Sequence, residues 1–226
     1  MIINELLLLI HIILLSLASL GALALGKEAL VAFVCLQSVL ANLFVTKQMT
    51  LFGLNATAAD AFTIGSVIGL NLLQEYFGKE SAQKAIWINL GTSLVYIAAT
   101  QIHLAYVPNN WDTMHVHCYA LLSVMPRIVI TSVIVFFVVQ QLDYLLYGLL
   151  KRKFADRFLV LRNCISLSIC QLLDTVLFTV IALYGIANNL TEIIIVSYTI
   201  KLIAIALTTP WLALTRFIVK FKSRNV

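Results

Sequence analysis

Seven long apolar runs, parted only by short polar loops, dominate this chain. Read by window, they cover roughly 4–25, 29–52, 58–77, 84–106, 119–148, 160–185 and 191–218. A helix needs roughly 20 apolar residues to cross a bilayer, where only internal hydrogen bonds can satisfy its backbone. The runs therefore predict an all-α, polytopic integral membrane protein of about seven transmembrane helices in a single domain, 1–226. They are continuous rather than alternating, which excludes a membrane-spanning β-barrel. Hydrophobic residues are 62% of the chain and charged residues 11%, against about half and about a quarter in a soluble domain. No soluble catalytic domain fits in what is left. Disorder, a collagen-like repeat, a disulfide scaffold and a nucleic-acid-binding arm are excluded on the same grounds.

The loops set the expected orientation. Lys27 lies in the first, Lys79 and Lys84 in the third, and Lys151, Arg152, Lys153, Arg157 and Arg162 in the fifth. Arg216, Lys220, Lys222 and Arg224 lie in the tail, while the second, fourth and sixth loops have no Lys or Arg. Cytoplasmic loops carry the basic residues, so the N-terminus is expected outside and the C-terminus inside. Residues 6–18 have the apolar core of a signal peptide, but only Glu5 precedes them and no basic residue does. Cleavage would also invert the later loops, so the first segment is read as a true span, a peripheral one. Cys35, Cys118, Cys164 and Cys170 are scattered with no Cys-x-x-Cys, as apolar packing residues are.

Charges inside the apolar runs carry the functional signal. Lys47, Arg127 and Lys201 are the three basic residues outside the loops, and Asp60, Glu75, Asp143 and Asp174 are acids in or at the spans. A charge deep in lipid costs several kcal/mol, so such groups face protein or a wet cavity. The expected topology puts Lys47, Asp60, Arg127, Asp174 and Lys201 in the outer half and centre. It puts Glu75, Asp143 and Arg162 in an inner layer. Lys47 with Asp60, and Asp143 with Arg162, read either as gate groups or as structural ion pairs. Polar stripes at helical spacing point to a cavity: Ser38, Asn42 and Thr46; Asn89, Ser93, Tyr96, Thr100 and His103; Asn163, Gln171, Asp174 and Phe178; and Asn71, Gln74 and Glu75 on the face of Asp60. Ala61, Gly65 and Gly69 form a small-residue ladder suited to close helix packing or to a homodimer seam.

No His-Glu-x-x-His, Gly-x-Ser-x-Gly or P-loop occurs, so an enzyme is not expected, nor a cofactor. Asp143 and Asp174 differ in expected depth, against an aspartyl dyad. His103, His115 and His117 gather near one loop, but no metal site is expected there. Arg, Lys, Asp, Gln and Asn mixed with aromatics suit a small polar organic solute. Carboxylates accept from N–H edges, amides and cations donate to a carbonyl, and aromatic rings cover a flat face.

These residues are also arranged as in a known family. Asn42, Glu75-x-x-Gly78-Lys79, Pro126-Arg127, Gln140-Gln141-Leu142-Asp143, Arg162-Asn163, Gln171-x-x-Asp174-Thr175-x-x-Phe178, and Tyr198-x-x-Lys201 with Pro210 follow one another in order. Over about 30–215 the chain resembles the queuosine precursor transporter, or vitamin-uptake-transporter-like, family of bacterial membrane proteins. The resemblance implies a six-helix core at 29–218 preceded by an extra helix at 1–25. It implies import of a 7-deazaguanine (preQ0, preQ1 or queuine) for tRNA modification, across the bacterial inner membrane, through an outward cavity with alternating access. It implies substrate contacts at Asn42, Asn71, Glu75, Arg127, Gln171, Asp174, Phe178, Tyr198 and Lys201. The family often has Asp where this chain has Asn71, and Asn where it has Asp60. Two other readings stand beside it: a substrate-binding subunit of a multi-component vitamin importer driven by a separate ATPase, and an intramembrane enzyme.

Overall fold

The computed structural model describes residues 2–153 and 159–205, with side chains described except at 2, 140, 143, 144, 147, 148, 150–153 and 159–164. Helix α1 (Ile2–Leu25) passes into α2 (Lys27–Phe44) through Gly26, whose φ of 115° is open to glycine at little cost. The apolar run 29–52 does not stay helical. After Phe44 the chain forms a hairpin of β1 (Gln48–Leu51) and β2 (Leu54–Thr57), with Gln48 opposite Thr57 and Leu51 opposite Leu54. Phe52 and Gly53 make the two-residue turn at φ 52° and 81°, the paired positive values of a type I′ hairpin. A hydropathy window averages over this turn and cannot register it. The hairpin is the departure from the all-α expectation.

Helix α3 (Asp60–Phe77) ends at Gly78, φ 83°, and α4 (Lys79–Ala105) starts from the same glycine, five residues before the expected span. The run 119–148 is divided into α5 (His115–Leu122) and α6 (Met125–Lys153). Pro126 accounts for the break. Its ring excludes the carbonyl four residues earlier, which belongs to Leu122, the last residue of α5, yet proline is tolerated in the first turn of α6. Helix α7 (Leu159–Leu183) is followed by Gly185 at φ 76°. Residues 190–205 form α8, and the rest of the expected seventh span, with Pro210, lies outside the described residues.

Among the described residues five helical stretches are long and apolar enough to cross a membrane: Ile3–Leu25, Lys27–Phe44, Lys79–Ala105, His115–Val139 and Ile165–Leu183. The protein is a helical, multi-pass membrane protein. Helix α3 is not among these stretches, for a physical reason: it packs against α1, α2 and α4 and so needs no lipid-facing coat. Its small residues set how close those neighbours come. A Cβ on Gly69 would lie 2.7 Å from Val34 Cγ2, and one on Gly65 would lie 3.0 Å from Gln37 Oε1 and 3.2 Å from Leu15 Cδ1. The ladder thus faces α2 and α1 of the same chain. Without a strong hydrophobic drive between helices in lipid, such close van der Waals approach is what holds them.

Helix α1 is expected at the periphery, and half of it is. Leu6, Leu7, Ile10 and Leu14 are exposed, while Leu15, Ser16 and Ser19 are buried and His11 sits edge-on to Phe62 at 4.6 Å. The main core joins Leu30 and Val34 of α2, Ile64, Ile68, Leu72 and Leu73 of α3, and Val196 and Ile200 of α8. A second cluster gathers helix ends: Val45 after α2, Ala59 before α3, Met125 and Ile128 at the start of α6, Leu183 at the end of α7 and Ile193 early in α8. The hairpin is strapped down at this end. Glu5 Oε1 accepts from Phe52 N at 2.8 Å, and Asn4 Nδ2 donates to Thr50 O at 3.0 Å. Glu192 Oε2 accepts from both Asn55 N and Asn55 Nδ2 at 2.7 Å, and Gln48 Oε1 accepts from Asn188 N at 3.2 Å.

Candidate functional site

Between α2, α3, α4, α6, α7 and α8 lies a cavity of about 270 Å³. Helix α2 contributes Ser38 and Asn42 to its wall, α3 Thr63 and Ser66, and α4 Asn89 and Ser93. Ser132 comes from α6, Asp174 from α7 and Lys201 from α8. Trp87, Phe136, Phe137 and Phe178 add ring faces, with Trp87 and Phe137 tilted against each other at 5.8 Å between centroids. Hydroxyls, amides and one ion pair, set in a mainly apolar and aromatic wall, make a hollow of the kind that takes a small ligand.

The charged pair sits in the wall. Lys201 Nζ lies 2.7 Å from Asp174 Oδ2 and donates also to Thr175 Oγ1 at 3.0 Å. The Thr175 hydroxyl in turn donates to the main-chain carbonyl of Gln171 at 2.7 Å. The side chains of Lys201 and Asp174 are 15% and 31% exposed, so both reach the hollow without leaving it. One turn earlier on α8, Ser197 Oγ donates to Asp60 Oδ2 at 3.2 Å, with Asp60 only 5% exposed. Helix α8 thereby bonds two carboxylates on two different helices. A carboxylate kept away from water needs such partners.

The expected residues divide clearly. Asn42, Asp174, Phe178 and Lys201 line the cavity together. Arg127 does not: its Nε and Nη2 donate to the carbonyl of Ile181, at 3.0 and 2.6 Å, in the last turn of α7, and the residue is exposed. A guanidinium there meets the negative end of the helix dipole. Asn71 is half-buried and Glu75 exposed, and neither lines the cavity. Gln171 is one turn below Asp174 and also outside the lining, and the Tyr198 hydroxyl donates to the Ser168 carbonyl at 3.3 Å, joining α8 to α7. Lys47 is exposed and Asp60 bonds Ser197 instead of it. The side chains of Asp143 and Arg162 lie outside the described residues.

The polar stripes of α2 and α4 are legible in the sequence, and Ser38, Asn42, Asn89 and Ser93 from them do line the hollow. Thr63, Ser66 and Ser132 are missed, as are the ring faces of Trp87, Phe136 and Phe137. A single hydroxyl in a span usually bonds its own helix, and aromatics in spans usually face lipid, so composition offers no signal for them. Only Thr63 with Ser66, three apart on one face of α3, leaves a trace.

The family described as "Putative vitamin uptake transporter" matches residues 57–215. That match covers β2's last residue, α3 to α8 and Asp174 with Lys201. The chain is also 32% identical over 189 residues, 82% of this chain and 82% of the relative, to a protein of Bacillus subtilis (strain 168) described as "Probable queuosine precursor transporter". No solved structure matches the chain.

Proposed function

Because the chain belongs to the vitamin uptake transporter family, we propose that this membrane transporter imports a queuosine precursor, a 7-deazaguanine base, into the cell. The observation that carries the reading is the cavity itself: an Asp174–Lys201 pair and two amides, Asn42 and Asn89, walled by four aromatic rings. A deazaguanine is flat, offers N–H donors on one edge and a carbonyl acceptor beside them. Asp174 and an amide oxygen suit the donors, Lys201 and an amide nitrogen suit the carbonyl, and the rings cover the faces. A volume of about 270 Å³ is close to the lower bound, roughly 300 Å³, of ordinary ligand pockets, in keeping with one small base.

In this reading the chain has seven spans, with its N-terminus outside the bacterial inner membrane and its C-terminus inside. Support comes from one end of the helices. Residues 4–5, the hairpin and residues 188–192 are hydrogen-bonded together there, as the N-terminal end of the first span and the second and sixth connections on the same side would be. The hairpin, flanked by the cavity residues Val45 and Ala59, is then the outer cover of the hollow. Substrate enters beneath it and is held between α4, α7 and α8. Rocking of helices then exposes the base to the inside, and Glu75, Asp143 and Arg162 are assigned on sequence grounds to the inner gate.

The test is complementation. The chain is expressed in cells unable to make or import precursors, and preQ0, preQ1 and queuine are fed separately. Queuosine in tRNA from at least one feeding, with uptake of the same base by the purified chain in proteoliposomes, is the expected result. No queuosine from any base refutes the assignment.

A further inference from the structure

We infer that Asn89, rather than Asn42, is the amide that reads an N–H of the bound base, an assignment that rests on the import reading above and names which acceptor of that site does so. The acceptors of the cavity wall differ in whether they already hold a partner. Asp174 Oδ2 is occupied by Lys201 at 2.7 Å. Ser38 Oγ accepts from Asn89 Nδ2 at 3.1 Å, and the Ser93 hydroxyl is turned to the Asn89 main-chain carbonyl at 2.8 Å. Asn89 Oδ1 is different: it is buried, belongs to a cavity-lining residue, and has no hydrogen-bond partner among the described residues.

A buried carbonyl oxygen without a donor is costly, and native structures rarely leave one so without a reason. The reason at hand is a ligand. The bond to Ser38 fixes the amide plane before substrate arrives, so the oxygen is held ready and little ordering is lost on binding. Trp87, half a turn away on α4, and Phe137 opposite it on α6 put ring faces on the same hollow. The substrate class that fits is a planar heterocycle with a ring or exocyclic N–H pointing at α4. A site built to accept that hydrogen rejects analogues without it, because the acceptor is then left unpaired again.

The experiment measures binding by the purified full chain in lipid nanodiscs. The probes are 7-deazaguanine and its N1-methyl, N2,N2-dimethyl and N9-methyl derivatives, each of which removes the N–H donors of a different nitrogen. The variants are Asn89→Ala and Asn89→Leu, the second filling the space that the first leaves empty. Wild-type chain is expected to bind the parent base and to bind one of the methylated bases about ten-fold more weakly. Both variants are expected to lose about ten-fold on the parent base and nothing further on that one methylated base. This coupling is a signature that a merely structural role of Asn89 would not produce. Equal loss on the parent and on every methylated base, or no loss on any, overturns the assignment and leaves the import reading standing. Absence of binding of all four bases to the wild-type chain overturns the import reading and this assignment with it. If neither variant assembles, Asn89→Ser and Asn89→Asp are read for the same coupling, which upholds the assignment where it is seen and overturns it where it is not.

Discussion

Removing the charge from Asp174 and Lys201, singly and together, tests the centre of the site. At 2.7 Å the pair's gross attraction is about 6 kcal/mol at an effective dielectric constant of 20. Most of that is offset by the cost of taking both groups from water. The measurable quantity is what happens when one partner is left alone. An orphaned buried charge costs about 3–5 kcal/mol, and the access of Asp174 to the hollow argues for the lower end, about 3 kcal/mol. Asp174→Asn and Lys201→Met should therefore each cost about 3 kcal/mol of stability. The double variant leaves no orphan and should cost well under about 3 kcal/mol in total, a coupling of more than about 3 kcal/mol. The assay is reversible denaturant unfolding in mixed micelles, followed by deazaguanine uptake in proteoliposomes. The expected pattern is a double variant more stable than either single variant but inactive. Additivity within about 0.5 kcal/mol would refute the energetic argument. A stable double variant that imports normally would show that the pair holds the helices and does not meet the substrate.

Other consequences are as direct. Gly69→Ala should cost about 1–3 kcal/mol, since its Cβ would come within 2.7 Å of Val34, and the same assay reads it. Arg127→Gln should lower stability by about 1 kcal/mol through loss of the Ile181 contacts and leave the affinity for substrate unchanged, measured by equilibrium binding. Glu192→Gln should speed hydrogen exchange at the Asn55 amide, because a neutral acceptor replaces a charged one at that 2.7 Å bond. Trp87→Ala should weaken base binding by about 1–3 kcal/mol if ring stacking holds the substrate, with titration of 7-deazaguanine as the check.

What the sequence discloses follows from the lengths over which each force acts. Lipid acts over whole spans, so the apolar runs locate α1, α4 and α7 to within a few residues. Turn chemistry acts over two residues, and Phe52-Gly53 therefore escapes a window that Pro126 also escapes. Asp174 and Lys201 are legible because charge in a span demands a partner, and each supplies the other's. Arg127 satisfies the same demand with a backbone carbonyl at a helix end, which no pattern of side chains can announce. Asn89 stands between these cases. Its place in the α4 stripe is visible, but its unpartnered oxygen appears only once Ser38 is beside it.

The bonds to the hairpin have one further implication. Thr50 offers a carbonyl and Phe52 and Asn55 offer amide nitrogens, so three of the straps reach main-chain atoms. Every amino acid but proline brings the same atoms to these places. The side chains of Thr50 and Phe52 are thus not what the straps hold, and exchange of either keeps the loop in place, provided the turn keeps its glycine at Gly53 and the chain count between Lys47 and Ala58 is preserved. A proline at Phe52 or Asn55, or a single inserted residue, would undo what such an exchange leaves intact.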